Sequence, residues 1–442
     1  MAIYFNESII YFLIPSLLSL FIGYLLYKLT NSIDIKLKHA LIISALTWLL
    51  FSLIGALPFY FSVSYFNYLD SVFESMSAWT TTGFTLINNV EILPHSIQFW
   101  RSVEQWIGGI GVLVMVITIL SKSGLYSYYK AEGRDEKILP STKGTVKKIW
   151  QIYIVYTFVG IFLLYICGLS LWEAINICMC GISTGGMSIS NSSFPYNNFA
   201  KIIMVTIMYI GGVISFSVHH KLLTGKYKLD IQTIMSIPII VISSLLIMYN
   251  SNISLIDSIF TIVSAMTSTG YSTVNISNFN IFSIGLLIII MMIGGSAGTT
   301  TGGIKLIRLA IILKTYYYKI LKSILPPNTI IVEKLNYNNK IINKDIVNDS
   351  YIIASFYFIH YLFGWLLLMF LEYDGFKSLF ESVSLAANIG LSVGIVNDSL
   401  NPIGKIFGIF LMWVGRLELI PVYVLILLPY ILCKKNKNKN KI

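Results

Sequence analysis

A short motif recurs four times in this 442-residue chain and divides it into repeats. Each copy is a glycine, a large apolar residue and then Ser or Thr: Gly83-Phe84-Thr85, Gly186-Met187-Ser188, Gly270-Tyr271-Ser272 and Gly390-Leu391-Ser392. A second glycine follows 25 residues after the first, second and fourth copies, at Gly108, Gly211 and Gly415, and 24 residues after the third, at Gly294. The residues 13 positions before the motifs are Asp70, Glu173, Asp257 and Lys377. Fixed offsets of this kind indicate an internal repeat.

Long apolar segments flank every motif and predict a membrane protein. Hydrophobic residues make up 56% of the chain and charged residues only 12%, whereas soluble domains hold about 25% charged residues. A bilayer span needs about 20 mostly apolar residues. We predict one span before each motif, at about 39–63, 149–170, 231–250 and 351–372, and one after each, at about 98–121, 201–219, 281–320 and 404–432. A further span at about 9–30 brings the total to nine.

The 13 residues before each motif glycine are too few to cross a bilayer. They predict a half-helix that enters the membrane and stops, with an acidic residue stabilising its N-terminus. In the fourth repeat, where Lys377 breaks that pattern, we expect Asp374 to serve instead. The irregular backbone that follows is tolerated at membrane depth where it lines a water-filled cavity. The predicted fold is an all-α polytopic membrane protein with four outer-helix, pore-loop, inner-helix repeats around a pseudo-fourfold pore, plus one N-terminal transmembrane helix.

These repeats define the predicted domain boundaries. The N-terminal extra helix occupies 1–37, pore repeat 1 occupies 38–121, and a basic cytoplasmic loop with pore repeat 2 occupies 122–230. Pore repeat 3, with a broken inner helix and a cytoplasmic hairpin, occupies 231–350, and pore repeat 4 with a basic cytoplasmic tail occupies 351–442. The hairpin is predicted from strand-like runs at 329–335 and 340–347 around a turn at 336–339.

Basic residues indicate on which side of the membrane each loop lies. The formal net charge is +11, and most Lys and Arg residues lie in the segments that join repeats or in the tail, whereas the motif side holds Arg101, Lys201, Lys377 and Lys405. By the positive-inside rule the joining loops are cytoplasmic. We therefore predict a multi-pass protein of the cytoplasmic (inner) membrane with an external N-terminus and a cytoplasmic C-terminus. The charge is explained by topology and membrane lipid, and no nucleic-acid partner is expected.

The stretches around the motif glycines have the chemistry of a cation filter. Backbone carbonyls can replace the hydration shell of potassium, and glycine adopts φ values that turn carbonyls towards an axis. None of the stretches contains the carboxylate expected of a calcium filter. A single glycine would equally permit close helix packing, but four in register favour the filter. The predicted potassium-binding residues are Thr81, Thr82, Gly83, Thr184, Gly185, Gly186, Ser268, Thr269, Gly270, Asn388, Ile389 and Gly390.

Two further segments, together with the four filter stretches, resemble segments of a known protein family. The third inner segment is too long for one plain span, and its middle is Gly- and Thr-rich, which breaks a helix. That segment, 294–305, resembles the intramembrane gating loop of the Trk/Ktr/HKT potassium-uptake family, and Gly415-Arg416-Leu417-Glu418 is similar to its last inner helix. Among its members, the TrkH-type translocating subunits are the most similar. The resemblance covers nearly the whole chain from about residue 39.

The resemblance implies potassium uptake, gating, partners and site residues. It implies a homodimer with two pores and a cytoplasmic RCK/KTN-type regulatory subunit. The chain has no dinucleotide-binding fingerprint, so no cofactor is expected in it and NAD or ATP would bind the partner. Arg416 would form a barrier below the filter, as an intramembrane charge is a candidate functional residue. The implied gating-loop residues are Gly294, Gly295, Gly298, Thr299, Thr300, Thr301, Gly302, Gly303 and Lys305.

Several alternatives stay open at this point. One alternative is a sodium-permeable uniporter or symporter of the same architecture, although the resemblance implies that glycine rather than serine at Gly83 favours potassium. A membrane-embedded enzyme is more remote, because His360 is the only mid-span histidine, and we expect no enzymatic activity. The simpler roles to be weighed are an ion pair of Arg416 with Glu418 or Glu381, membrane-interface positions for Lys305, His219 and His220, and a local ion pair between Arg101 and Glu104.

Overall fold

The computed structural model describes residues 1–30, 36–111, 141–225, 230–326, 334–335, 340–341 and 344–439. Its described part is almost entirely helical, which confirms the predicted fold class. In chain order the helices are α1 Ile10–Leu29, α2 Leu37–Ser62, α3 Tyr68–Trp79, α4 His95–Ile110, α5 Thr142–Ile166, α6 Leu171–Ile182, α7 Asn198–Gly212, α8 Phe216–Leu223, α9 Ile231–Ser251, α10 Leu255–Met266, α11 Ile281–Ile293, α12 Leu306–Ile324, α13 Lys344–Phe370, α14 Gly375–Ala386, α15 Pro402–Arg416 and α16 Ile420–Lys439.

Five of these helices are long and apolar enough to cross a membrane: α1, α2, α5, α9 and α13. Two bent helix pairs, α7 with α8 and α15 with α16, would bring the number to seven. The first inner segment is described only as far as Gly111, and the third is interrupted after Ile293. Helices α2, α5, α9 and α13 are the outer helices of the four repeats, and α5 and α13 begin seven residues earlier than the sequence predicted.

The four short helices α3, α6, α10 and α14 are the pore helices, and each is 12 residues long. Three of them begin at an Asn or Ser N-cap whose side chain accepts from the backbone N–H of Asp70, Glu173 or Asp257. In the fourth, Asp374 is itself the N-cap and accepts from the N–H of Lys377. Each start satisfies a backbone N–H that would otherwise lack a partner. This confirms the prediction that Asp374 stabilises the start of the fourth pore helix, where Lys377 stands in place of an acidic residue.

The inner segments are more broken than the sequence predicted. The third is interrupted between α11 and α12, as expected from its Gly and Thr content. The second and fourth were predicted as continuous spans and this was wrong: α7 and α8 meet at 107°, and α15 and α16 at 111°. Mean hydropathy does not detect these breaks. The second bend holds only small and apolar residues, and at the fourth bend the apolar neighbours outweigh Arg416 and Glu418. Arg416 accordingly lies at the end of α15 rather than in the middle of a helix.

The predicted cytoplasmic hairpin is only partly described. Strand β1, Lys334–Leu335, pairs antiparallel with β2, Lys340–Ile341. The second run was predicted to extend as a strand to residue 347, but α13 begins at Lys344. Residues 329–333 and the turn at 336–339 lie outside the described residues.

The N-terminal helix α1 lies at the periphery, and few of its side chains are buried against the rest of the protein. The segment before it is nevertheless attached to the first inner helix. The Glu7 carboxylate accepts from the backbone N–H groups of His95 (2.7 Å) and Ser96 (2.8 Å), at the start of α4. Phe5 stacks on the His95 ring with centroids 4.2 Å apart. The Glu7 carboxylate thus caps the N-terminus of α4 with a negative charge, which the helix dipole favours.

Candidate functional site

The four motif glycines form a closed ring of contacts between repeats, the filter ring. A methyl group built on Gly83 would overlap the carbonyl oxygen of Gly185 in the second repeat. Methyl groups built on the other three motif glycines would also overlap a carbonyl oxygen of the next repeat. Gly186 would meet the oxygen of Thr269, Gly270 that of Ile389, and Gly390 that of Thr82 in the first repeat. Each glycine therefore packs against the carbonyl that precedes the next glycine. No side chain fits at these four positions without displacing backbone of the neighbouring repeat.

Each pore helix leads into this ring through the same hydrogen-bond pattern. In the first repeat, Thr81 N–H donates to Ala78 O (3.0 Å) and Thr82 N–H donates to Ser77 O (2.9 Å). This is a Schellman ending, which needs a residue in the left-handed region. Threonine occupies that position at φ 53° although glycine is usual there. The equivalent left-handed residues are Thr184, Ser268 and Asn388, with φ of 56°, 53° and 54°.

The glycines of the inner segments let these segments reach the ends of the pore helices. Methyl groups on Gly108, Gly211 and Gly415 would meet the carbonyl oxygens of Trp79, Ile182 and Ala386, the last residues of the adjoining pore helices. A methyl group on Gly302 would meet the carbonyl of Ala387. Three of the four glycines found by their offsets in the sequence are thus positions of close helix approach, whereas Gly294 packs against Gly302 within the 294–305 loop.

Outside the filter ring lies a cavity of about 610 Å³, the outer cavity, and all four motif glycines line it. Its other lining residues are mostly Ser, Thr, Asn and apolar side chains. Among the described residues that line it, Arg101 is the one charged side chain. No group of three or more His, Cys, Asp or Glu side chains in the described ranges could hold a metal ion. The outer cavity therefore presents neutral oxygens next to the ring.

The 294–305 loop lies on the other side of the ring and is hydrogen-bonded to the second repeat and to the outer helix of its own repeat. Thr300 Oγ1 is 2.8 Å from Thr184 Oγ1, the left-handed residue of the second filter stretch. Ser296 N–H donates to Gly212 O (3.0 Å), and Ala297 N–H donates to Gln232 Oε1 (2.7 Å). The loop keeps positive φ at Gly294, Gly298, Gly303 and also at Lys305. It is therefore a defined, hydrogen-bonded structure directly beneath the filter.

Arg416 joins this loop to the filter and to the first inner helix. Its Nη1 donates to Thr300 O (2.6 Å) and to Thr81 Oγ1 (3.0 Å), and its Nη2 donates to the carbonyls of Gly108 and Gly109. Its guanidinium also lies 5.5 Å from the centroid of the Trp48 ring. Arg416, three loop threonines, Lys305 and Glu418 are among the residues lining a small cavity of about 30 Å³, which is the space of about one water molecule.

Glu418 lies in the bend of the fourth inner segment and pairs with two cations, Lys305 and Arg308, rather than with Arg416. Its Oε1 accepts from Lys305 Nζ and its Oε2 accepts from Arg308 Nη2. Lys305 is only 6% exposed and ends the 294–305 loop. It is thus a buried member of an ion-pair cluster and not a residue at the membrane interface, as one alternative had it. The cluster ties the end of the loop to the bend of the fourth inner segment.

Two ion pairs between neighbouring repeats were missed from the sequence. Lys201 Nζ lies 2.7 Å from Asp257 Oδ1, joining repeats 2 and 3, and Lys405 Nζ lies 2.7 Å from Asp70 Oδ1, joining repeats 4 and 1. Both lysines stand 15 residues after their motif glycine, and both aspartates stand 13 before theirs. The other two repeats have Gln98 and Gly285 at the lysine position. Comparing the repeats at that offset would have singled out the two lysines, but their partners follow only from the packing of the repeats.

The expected local pair between Arg101 and Glu104 is wrong. Arg101 Nε donates to Glu74 Oε1 at 3.0 Å, and both side chains are buried. Glu104 Oε1 instead accepts from Ser75 Oγ at 3.0 Å. Adjacent turns of one helix bring Arg101 and Glu104 to one face, but Arg101 reaches across to the pore helix. Glu74 was not singled out from the sequence, although Glu381 stands at the same offset before the fourth motif glycine.

The histidines occupy structural positions. His219 contacts Tyr156 Oη (2.9 Å) and the carbonyl of Ile210 (3.2 Å), which fastens α8 to α5 and α7. His219 is buried, so it does not sit at the membrane interface as expected. His360 contacts Tyr423 Oη at 2.7 Å and the carbonyl of Phe356 at 2.6 Å. Neither His219 nor His360 is among the residues that line the cavity at the filter ring.

Comparison with known proteins gives a consistent result. The chain matches the family model described as TrkH, cation transport protein, over residues 11–235 and 227–431. An uncharacterized cation transporter of Methanocaldococcus jannaschii is 50% identical over 427 residues, covering 96% of this chain and 90% of that protein. The Trk system potassium uptake protein TrkH of Escherichia coli K12 is 31% identical over 417 residues, covering 89% and 86%. The crystal structure of the potassium transporter TrkH from Vibrio parahaemolyticus has the same fold, with a TM-score of 0.82, 24% identity and coverage of 94% and 91%.

Proposed function

The chain belongs to the TrkH family of cation transport proteins, and from this premise we propose that it is the pore-forming subunit of a Trk/Ktr-type system that takes up potassium across the cytoplasmic membrane. The observation that carries the proposal is the closed filter ring, in which Gly83, Gly186, Gly270 and Gly390 each pack against a carbonyl of the next repeat. A ring of backbone carbonyls at one level is the arrangement that replaces the hydration shell of potassium.

The chemistry of the ring favours a monovalent cation. The stretches from which it is built contain threonine, serine, asparagine and glycine but no carboxylate, so an ion is coordinated by neutral oxygens. The four pore helices direct their C-terminal ends, which carry partial negative charge, towards the ring. Potassium would leave its water in the outer cavity, pass the ring dehydrated and regain water below it. No covalent chemistry is needed, and the chain acts as a transporter rather than an enzyme.

We further propose that the 294–305 loop is the gate. It lies against Thr184 and Arg416 and occupies the route that an ion would take after the ring. The positive charge of Arg416 adds an electrostatic barrier at this level, because a charge in a low-dielectric region acts strongly on a nearby ion. Lys305 and Arg308, both paired with Glu418, would hold the loop in its closed position. Opening then requires the loop to leave Arg416 and the bend at Glu418.

The assembly that we propose is a homodimer with two pores that binds a cytoplasmic RCK/KTN-type regulatory subunit. NAD or ATP would bind that subunit and not this chain. The basic loops and the C-terminal tail would lie in the cytoplasm, since Lys and Arg are concentrated there. A regulatory subunit in this position could act on α12, which continues directly from the 294–305 loop.

Uptake by a potassium-uptake-deficient bacterium tests the proposal. The strain would express the wild type or Gly83→Ser, with and without the candidate regulatory subunit, and rubidium and sodium uptake would be measured. Gly23→Ser is the matched control, because a Cβ at Gly23 meets nothing within 4 Å. We expect rubidium but not sodium uptake by the wild type and the control. We expect sodium uptake by Gly83→Ser, because the serine Cβ would displace the Gly185 carbonyl and so loosen the selectivity of the ring.

Other outcomes separate the alternatives. Equal rubidium and sodium uptake by the wild type would establish a sodium-permeable transporter of the same architecture and remove the potassium assignment. Absence of any cation uptake, with the protein present in the membrane and the regulatory subunit supplied, would contradict a pore.

A further inference from the structure

The Glu74–Arg101 pair beside the filter ring is unusual because the pore does not need it to hold the filter in shape. Glu74 lies on the first pore helix and is fully buried. Its carboxylate accepts from Leu86 N–H (3.0 Å) and Thr85 Oγ1 (2.9 Å), which fixes the turn that follows Gly83. Arg101 Nε adds a third contact at 3.0 Å.

The fourth repeat shows that this turn can be held without a cation. Glu381, at the same offset before its glycine, accepts from Ser392 Oγ (2.6 Å), Val393 N–H (2.9 Å) and Ile395 N–H (3.2 Å). The residue that corresponds to Arg101 is Gly408, 18 positions after Gly390, and the Phe73 ring packs against it. The second and third repeats have Met204 and Ile288 there. Holding the turn therefore does not explain the presence of arginine in the first repeat.

Arg101 differs from Glu74 in that it reaches the ion pathway. It lines the outer cavity beside all four motif glycines, whereas Glu74 lies behind it. Its Nη1 donates to the carbonyl of Ser188 (2.8 Å), two residues after Gly186 in the second repeat. The guanidinium thus stands between a buried carboxylate and the mouth of the filter.

The charge of that carboxylate would matter greatly without the arginine. Carboxylate and carbonyl oxygens are the ligands that calcium and magnesium prefer. A divalent ion gains twice the Coulomb energy of a monovalent one from the same negative charge, and low dielectric strengthens the attraction. Glu74, the carbonyl of Ser188 and the hydroxyls of the cavity would together supply such a site if the guanidinium were absent. Glu381 in the fourth repeat differs, because the Phe73 ring fills the space into which a side chain at Gly408 would extend.

We propose that Arg101 is a specificity-determining residue that keeps the outer cavity free of a divalent-cation site by neutralising Glu74 and occupying the position that the ion would take. The proposal rests on the proposed function for its role in transport, because only a pore that carries monovalent ions is protected in this way. The site that it predicts in the Arg101 variant is, however, a property of the folded protein alone.

The test measures rubidium uptake with and without millimolar calcium for the wild type, Arg101→Gln, Glu74→Gln and the double variant Glu74→Gln/Arg101→Gln. We expect the wild type to be insensitive and Arg101→Gln to be half-inhibited at roughly millimolar calcium, as for weak external sites. The double variant should regain insensitivity. Lys377→Gln is the control, since it removes one exposed positive charge on the same side of the membrane.

A second measurement does not depend on transport. Calcium should raise the melting temperature of purified Arg101→Gln but not of the wild type or the double variant. This measurement distinguishes failure of the inference from failure of the proposed function. If the wild type carries no rubidium, the calcium-dependent change in melting temperature still shows whether Arg101→Gln creates a calcium site. Equal calcium response in a folded Arg101→Gln and the wild type overturns the proposal.

If Arg101→Gln does not accumulate in the membrane, Glu74→Gln decides. It leaves the guanidinium at the cavity without its counter-charge, so rubidium uptake should fall severalfold at low ionic strength and recover as salt screens the charge. Uptake by Glu74→Gln that equals the wild type at every ionic strength would overturn the proposal.

Discussion

Lys405 and Asp70 join the two ends of the repeat array: the ammonium of the fourth inner helix lies 2.7 Å from a carboxylate at the start of the first pore helix. Both side chains are about nine-tenths buried. Lys405 Nζ also donates to the carbonyl of Asp398 at 2.9 Å. The contact closes the circle of repeats on the outer side, as Gly390 and Thr82 close it at the filter.

Removal of one partner of this pair should destabilise the protein. Lys405→Met leaves Asp70 buried without its cation, and such a change costs about 3 kcal/mol. Lys201→Met is the matched comparison, because its pair with Asp257 is more exposed. We expect a larger fall in melting temperature in detergent for Lys405→Met than for Lys201→Met. Equal falls would mean that burial does not set the strength of these pairs.

Glu418 should control the resting position of the 294–305 loop. Glu418→Gln removes the negative charge that Lys305 and Arg308 share, so the end of the loop loses its attachment to the fourth inner segment. We expect rubidium uptake without the regulatory subunit to rise by roughly tenfold, as loss of about 1.4 kcal/mol of bias towards the closed state would give. Glu372→Gln, which changes an exposed carboxylate, is the control. Unchanged uptake in a folded Glu418→Gln would argue against a latch at this position.

Arg416 should act on the ion through its charge as well as its hydrogen bonds. Arg416→Gln removes the barrier below the ring, and we expect rubidium uptake to rise on the order of tenfold. Arg416→Lys keeps the charge but loses the multiple contacts with Thr300, Thr81, Gly108 and Gly109. If charge is the cause, the lysine variant should stay near the wild-type rate. Equal increases in both variants would instead assign the effect to the hydrogen bonds.

Glu7 should make attachment of the N-terminal segment dependent on pH. Burial would raise the pKa of the Glu7 carboxyl, but hydrogen bonds from Ser96 and His95 outweigh it and hold that pKa below its usual range. The stabilisation is therefore present above the ordinary glutamate pKa and is lost as pH falls through the lowered value. Glu7→Gln should cost about 1 kcal/mol at neutral pH, measured as a difference in melting temperature from the wild type. That difference should vanish in acid; a difference that is constant with pH would exclude the carboxylate as its source.

The short helices and the positive φ of the four motif glycines could be predicted because local chemistry determines them. A glycine with positive φ, an acidic or Asn/Ser helix start and a fixed distance between them all lie within one stretch of sequence. Asp374 was found in this way, from the absence of an acid at Lys377. The closed contact between Gly390 and Thr82 could be expected only from counting repeats.

The bends and the ion pairs could not be predicted from hydropathy. A bend after Gly212 or Arg416 leaves the apolar composition unchanged, so a straight and a broken span look alike. Arg101 was assigned to Glu104 because that residue is near in sequence, whereas the fold brings Glu74 closer. Such partners depend on how the repeats pack against one another, and the sequence of one repeat does not determine that packing.

The closed filter ring has a consequence for how the protein is made. Synthesis proceeds from the N-terminus, so Gly83 and Thr82 enter the membrane long before Gly390 exists. Until the fourth pore loop arrives, the carbonyl of Thr82 has no glycine against it, and three repeats leave an open arc. The first repeat is therefore inserted in the membrane before the contact between Thr82 and Gly390 can form. A chain that stops before the fourth repeat should yield no selective pore.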